Sequence, residues 1–238
     1  MVYSHCSNVS YWRRTMKPYD SYLFDADGTL FDTVDLICTC FQYVAEKYAG
    51  MILDRSTIIN GIGLPLKNQL IAHLGPELDH DQILDDYLQY QLSIMEDSIS
   101  PFPHVTETLE ILKSAGKKLA VVTSRRRFSL EKILDSTDTA RYFDVLVTPE
   151  DTTRHKPDAE PALKAMSLLG ADKTSTVFTG DALYDICSGA SAGIDTIFVN
   201  WSHAELSSLP VSPTWAIDSL QELTCCLNKV SSAKAKSD

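Results

Sequence analysis

Five short apolar runs constrain this 238-residue chain more than any other feature, because each is continuous rather than alternating. They are Ser21–Phe24, Lys118–Thr123, Asp144–Val147, Thr176–Thr179 and Thr196–Val199. A strand with polar and apolar residues in turn has one wet face; a continuously apolar strand is covered on both, as in a parallel sheet between helices. Helical patterns lie between most of the runs. Val105, Leu109 and Leu112 fall at i, i+4 and i+7, and Ala162, Met166 and Leu169 repeat that spacing. The pattern predicts an α/β fold built on a doubly wound parallel sheet.

One interval breaks the rhythm. From about Phe31 to Pro103 the chain runs far longer than a crossover helix requires. Phe41, Val44, Ala45 and Tyr48 form one apolar stripe there, and Ile83, Leu84, Tyr87, Leu88 and Gln91 a second. Gly61-Ile62-Gly63-Leu64-Pro65 interrupts them, and Ser100-Pro101-Phe102-Pro103 reads as a hinge back to the sheet. The expected organisation is a core over residues 18–32 and 103–228 and an inserted α-helical cap over 33–102. Residues 1–17 read as a polar extension and 229–238 as a flexible tail.

Composition narrows the partners. With 44% hydrophobic and 22% charged residues the chain has ample material for a core. A net charge of −11 argues against nucleic acid or an anionic membrane surface, both polyanions. No apolar run approaches the roughly 20 residues of a membrane span. The six cysteines include no C-x-x-C pair and no zinc-type cluster, so they read as reduced thiols of a cytoplasmic protein. Residues 1–17 lack Asp and Glu and carry Arg13, Arg14 and Lys17, which also fits an organelle transit peptide.

The sharpest chemical signal is Asp25-Ala26-Asp27-Gly28-Thr29, directly after Tyr22-Leu23-Phe24. Carboxylates at i and i+2 in one strand-end mouth repel unless a cation or shared proton separates their roles, and Mg²⁺ answers that need. An ordinary acidic turn is the plain alternative. Gly180-Asp181, with Asp185 four residues on, follows another apolar run and puts both acids on one helix face. Helix starts attract acids on their own account, so that signal alone is open. Thr123-Ser124 ends a third run, where a hydroxyl and a backbone N–H suit a phosphate oxygen or simply cap a helix. Arg125 follows as a weaker candidate for an anionic substrate. Lys156, before Pro157, is placed to offset phosphoryl charge, although a solvated lysine is the default.

Taken in order, these segments resemble the four motifs of the haloacid dehalogenase (HAD) superfamily over roughly residues 20–227. Asp25-Ala26-Asp27-Gly28-Thr29-Leu30-Phe31-Asp32-Thr33 is similar to the first, Thr123-Ser124 to the second, Lys156-Pro157-Asp158 to the third, and Gly180-Asp181 with Asp185 to the fourth. The inserted cap resembles the helical C1 type of the phosphoglycolate phosphatase-like subgroup, which includes pyrophosphatases and sugar phosphomutases.

The resemblance implies a Rossmann-like core and Mg²⁺-dependent hydrolysis of a small phosphorylated metabolite through an aspartyl-phosphate. Catalytic roles fall to Asp25 as nucleophile, Asp27 as acid and base, and Lys156. Thr123, Ser124 and Lys156 would hold the phosphoryl group. Asp25, Asp181 and the Asp27 backbone carbonyl would hold the metal, with Asp185 behind them. Ser124 stands where Asn is common in the subgroup.

The main alternative within the family is a phosphomutase, which usually carries an acidic pair where this chain has Gly180-Asp181. A silent phospho-ligand binder is a further alternative, and Asp27 counts against dehalogenase chemistry. Phosphoglycolate, pyrophosphate and sugar phosphates stay open as substrates. Selectivity is expected in the Gly61–Asn68 loop, with Lys67 or Asn68 as candidates. His73, His80 and His203 read as surface positions, and Phe41, Tyr43 and Tyr48 as cap core.

Overall fold

The computed structural model describes residues 16–95, 98–201, 203 and 206–227; the expectations for residues 1–15 and 228–238 lie outside them. Its centre is a parallel sheet. In chain order the strands are β1 (Ser21–Phe24), β2 (Phe31–Asp32), β3 (Ser100–Pro101), β4 (Lys118–Val122), β5 (Val145–Val147), β6 (Thr176–Gly180), β7 (Asp195–Val199) and β8 (Trp215–Ile217). Six of them form one sheet in the order β5-β4-β1-β6-β7-β8, every pairing parallel. All five predicted runs are strands of that sheet.

Each strand's alternate side chains enter different cores, which explains the continuous apolar pattern. Leu23, Ala120, Val122 and Phe178 pack with Ala162, Ala165 and Met166 of α7 (Glu160–Leu169) and Ala192 of α8 (Leu183–Ala192). Tyr22, Phe24, Val121 and Val177 pack with Val105, Leu109 and Leu112 of α5 (Val105–Ser114) and Leu130 and Ile133 of α6 (Arg127–Ser136).

Register places the chemistry. Phe24 pairs with Val121 on one side and with Thr179 on the other. The residues just beyond these three strands, Asp25, Thr123 and Asp181, therefore share one carboxyl edge, where parallel sheets bind ligands.

The long interval holds four helices: α1 (Val34–Ala49), α2 (Arg55–Gly61), α3 (Leu66–Leu74) and α4 (His80–Ile94). Asp54 caps α2 by accepting from the Ser56 and Thr57 N–H groups, and Asp79 caps α4 in the same way. Phe41 meets Tyr87 and His73 edge-on at 5.1 and 5.3 Å between ring centres. Val44, Ala45, Leu70 and Ile83 are fully buried beside them, in a cluster continuous with one side of the sheet. His80 corrects the expectation of a surface position: it is 7% exposed, its Nε2 lies 2.6 Å from the Gly75 oxygen, and its ring is used to close the turn before α4. His203 is exposed.

Two pieces are absent from the sequence reading. β2 and β3 pair antiparallel at the base of the insertion, Phe31 against Pro101 and Asp32 against Ser100. β8 adds an edge strand beside β7. Cys38 and Cys40 are buried thiols in α1 without disulfides, and among the described residues no helix is long and apolar enough to cross a membrane.

Candidate active site

Asp25 leaves β1 with its backbone N–H still on the sheet, donating to the Thr179 oxygen at 2.9 Å. Its side chain is buried against Lys156, whose Nζ donates to Asp25 Oδ1 at 2.7 Å and Asp185 Oδ1 at 2.6 Å, and more weakly to the Val122 oxygen at 3.4 Å. Lys156 reaches the sheet from a loop braced at both ends. Glu160 accepts from the Thr153 and Arg154 N–H groups, and Ser188 donates to the Asp158 oxygen at 2.7 Å. Burial opposes the charge on Lys156, but Asp185 and Asp25 outweigh it and raise its pKa.

Asp181 and Asp185 come from the turn into α8. Asp185 Oδ2 accepts from the Ala182 N–H at 3.0 Å, so its carboxylate closes the helix start while the other oxygen meets Lys156. The approach needs a glycine: a Cβ on Gly180 would lie 2.2 Å from the Asp185 Cβ. Gly28 serves Asp181 likewise. With φ at 77° it turns the chain after Asp27, and a Cβ there would sit 2.3 Å from Asp181 Oδ2. Thr29 Oγ1 donates to Asp181 Oδ1 at 3.3 Å.

Carboxylate oxygens of Asp25, Asp181 and Asp185 thus lie within 4.8 Å of one another. Asp25 and Asp185 share the Lys156 ammonium, and Asp181 adds a third carboxyl group to the same buried place. Burial pushes Asp25 up to about 7 despite Lys156, with Asp185 adding to the rise. Burial, then Asp185 and Asp25, holds Asp181 well above the ordinary carboxylate range. Clustered all-oxygen donors whose charged forms are disfavoured by burial and by one another fit a hard divalent cation.

Asp27 is held apart from this cluster. Arg125 grips it from Nε, at 3.1 and 2.9 Å to its two oxygens, and from Nη2 at 2.6 Å. Thr33, in the position that precedes α1, donates to Asp27 Oδ1 at 2.6 Å instead of capping that helix. Burial alone would raise the Asp27 pKa, but the guanidinium and these hydrogen bonds outweigh it and hold the group below its ordinary value. In this arrangement Asp27 is held as a carboxylate and is a weaker base than a free aspartate.

Thr123 and Ser124 follow β4. Thr123 Oγ1 accepts from the Arg125 N–H at 3.1 Å, which leaves its own hydrogen for another acceptor. Ser124 Oγ donates to the Gly63 oxygen at 2.6 Å, tying the sheet edge to the insertion. A cleft between the two is lined on the sheet side by Asp25, Asp27, Thr123 and Ser124.

Sequence reasoning undervalued Arg125 and assigned Gln91 only to a helical stripe. Arg125 joins the sheet edge to α4, since its Nη1 donates to Gln91 Oε1 at 3.0 Å and Ser129 Oγ at 2.7 Å. The available signal was its place right after Thr123-Ser124, diluted by two further arginines. Arg126 and Arg127 face Glu150 and Asp151 instead. Lys67 pairs with Asp81 at 2.5 Å, and neither it nor Asn68 lines the cleft.

The sheet topology and this edge define the class first: an α/β protein whose acidic site lies at the carboxyl ends of parallel strands beneath a helical insertion. The model of the haloacid dehalogenase-like hydrolase family matches residues 22–199, and the chain belongs to that family. Pyrophosphatase PpaX of Bacillus velezensis is 30% identical over 210 residues, 88% of this chain and 96% of the relative. That of Halalkalibacterium halodurans is 34% identical over 183 residues, 77% and 84% of the two chains. A haloacid dehalogenase-like hydrolase of Bacteroides fragilis superposes with a TM-score of 0.78 at 29% identity, covering 86% of this chain and 99% of its own. The protein is an enzyme, a phosphatase-type hydrolase of the family.

Proposed function

We propose that this enzyme is a Mg²⁺-dependent phosphatase that hydrolyses a small phosphorylated metabolite through an aspartyl-phosphate on Asp25, with the α1–α4 insertion as its cap. The observation that carries the reading is the contact of Asp25 with Lys156 at 2.7 Å beside the carboxylates of Asp181 and Asp185. Asp25, Asp181 and the Asp27 carbonyl would hold Mg²⁺, which supplies positive charge that lets an anionic nucleophile approach an anionic phosphate.

In the first step an Asp25 carboxylate oxygen bonds to phosphorus, the bond to the leaving oxygen breaks, and Asp27 gives that oxygen its proton. In the second, Asp27 takes a proton from water, the water oxygen bonds to phosphorus, and the bond to Asp25 breaks, releasing orthophosphate. Arg125 favours the ionised Asp27 from which the second step starts, while lowering its basicity. Donation in the first requires Asp27 to have taken up a proton from solvent beforehand, which the Arg125 contact opposes. Thr123 and the Ser124 N–H hold phosphoryl oxygens while Lys156 offsets their charge. Gly180, in place of an acidic residue, supports water rather than a sugar hydroxyl as acceptor. The relatives' names keep pyrophosphate among the candidate substrates, with phosphoglycolate and sugar phosphates. The unbridged, buried Cys38 and Cys40 support a cytoplasmic setting.

Phosphate release with Mg²⁺ and with EDTA, followed by acid quench and peptide mass analysis, tests the reading. Metal-dependent release and a phosphoryl adduct on the peptide containing Asp25 are expected. Full release in EDTA, or turnover without any adduct, overturns it.

A further inference from the structure

The cleft has two chemically different walls. Across from the charged sheet edge, the insertion presents Phe41, Ile62, Leu64, Leu66 and Leu88, and its polar side-chain groups there are uncharged, the carboxamides of Gln69 and Gln91 and the Tyr87 hydroxyl. Among the described residues, no cation of the insertion lines the cleft. The two arginines at the cleft come from the sheet side and are already engaged, Arg125 by Asp27, Gln91 and Ser129, and Arg126 by Glu150. A second phosphate or a carboxylate on the substrate would therefore lie against an apolar wall without a partner charge, at a large desolvation cost.

Gln69 adds an independent observation. It is 7% exposed, its Nε2 donates to the Leu64 oxygen at 2.8 Å, and its Oε1 is buried with no hydrogen-bond partner. An orphaned acceptor is relieved by a donor such as a hydroxyl and gains nothing from an anionic oxygen. The remaining space, about 60 Å³ for the centres of water-sized atoms, suits a small group.

We propose that the insertion wall selects phosphomonoesters whose leaving group is neutral and hydroxylated, a short polyol or sugar, over pyrophosphate and over phosphorylated carboxylates. This rests on the phosphatase reading and narrows its substrate class. Carbon-bound hydrogens of the leaving group pack on the aliphatic and aromatic side chains, and a hydroxyl donates to the Gln69 amide once its Oε1, now shut in beside the equally unpartnered His73 Nε2, turns toward the cleft.

The test compares kcat/KM of the full chain with Mg²⁺ on glycerol 3-phosphate, ribose 5-phosphate, pyrophosphate and 2-phosphoglycolate. The polyol and sugar esters are expected to exceed the other two by at least about tenfold. Equal or higher values for pyrophosphate or phosphoglycolate overturn the inference and leave the phosphatase reading standing. No release from any compound, by protein with an intact circular dichroism spectrum, overturns both. Leu64→Arg is expected to move the ratio toward pyrophosphate by at least about fivefold, and Gln69→Leu to erode the preference for hydroxylated esters. Leu66→Lys replaces the first variant if that one misfolds. Unchanged ratios in the folded variants overturn the inference.

Discussion

The sheet edge and the helical insertion face each other across one cleft, yet they bring opposite kinds of side chain to it. The edge gathers Asp25, Asp27, Asp181, Asp185, Lys156 and Arg125, all buried or nearly so and held by mutual contacts. The insertion keeps its own ion pairs, Lys47 with Asp86 and Lys67 with Asp81, on its outer surface. It turns apolar groups and uncharged polar ones, two carboxamides and the Tyr87 hydroxyl, inward. Charge buried at a sheet edge is fixed by strand register, so it can hold a reaction geometry. A neutral wall on helices can vary its shape without disturbing that electrostatic balance.

The largest expected break comes from removing the nucleophile. Asp25→Asn is expected to lower kcat by at least about 10³-fold, with the circular dichroism spectrum retained. Residual activity near the native level would move the chemistry away from the edge. Next comes the buried link between the regions. Arg125→Met leaves Asp27 buried and unpaired, at a cost of about 3–5 kcal/mol. For a chain of this length that is a fall of roughly 6–20 °C in Tm, measured by calorimetry. Asp27→Asn added to it is expected to restore part of the loss; no recovery would deny that the pair is the reason.

Metal addition is a smaller effect. Mg²⁺ at about a hundred times its Kd should stabilise the protein by about 2.7 kcal/mol, read as a higher Tm than in EDTA. Asp181→Asn is expected to remove most of that rise, and an equal rise in the variant would place the ion elsewhere. Smallest of all, Lys67→Ala on the insertion should change stability by about 1 kcal/mol or less, because its ion pair is exposed. Its kcat/KM on any phosphoester should stay within about twofold. A large loss there would mean that the insertion contributes charge after all, and the contrast between the walls would fail.

Legibility in the sequence follows the same division. β1, β4, β6 and β7 announced themselves because burial on both faces demands unbroken apolar runs. The acids were readable because they sit within a few residues of those runs. β8 hid because it is only the three residues Trp215–Ile217 just after Pro210 and Pro213, and two-residue strands such as β2 and β3 carry no period at all. The partnership of Asp27 with Arg125, 98 residues away, is set by the pairing of β1 with β4. No local pattern encodes it. Gln91 was read as one residue of a stripe because an amide at helical spacing gives no hint of what crosses to meet it.

The small antiparallel ribbon of Phe31–Asp32 with Ser100–Pro101 brings the two ends of the insertion side by side. A chain that leaves and returns through adjacent backbone positions makes its excursion self-contained, and a tight hairpin could close the same gap. The sheet therefore does not depend on the length of what lies between. Such an arrangement allows one inherited catalytic platform to be fitted with a different selector, by recombination or by grafting at residues 32 and 100, so that new substrates can be reached without rebuilding the chemistry.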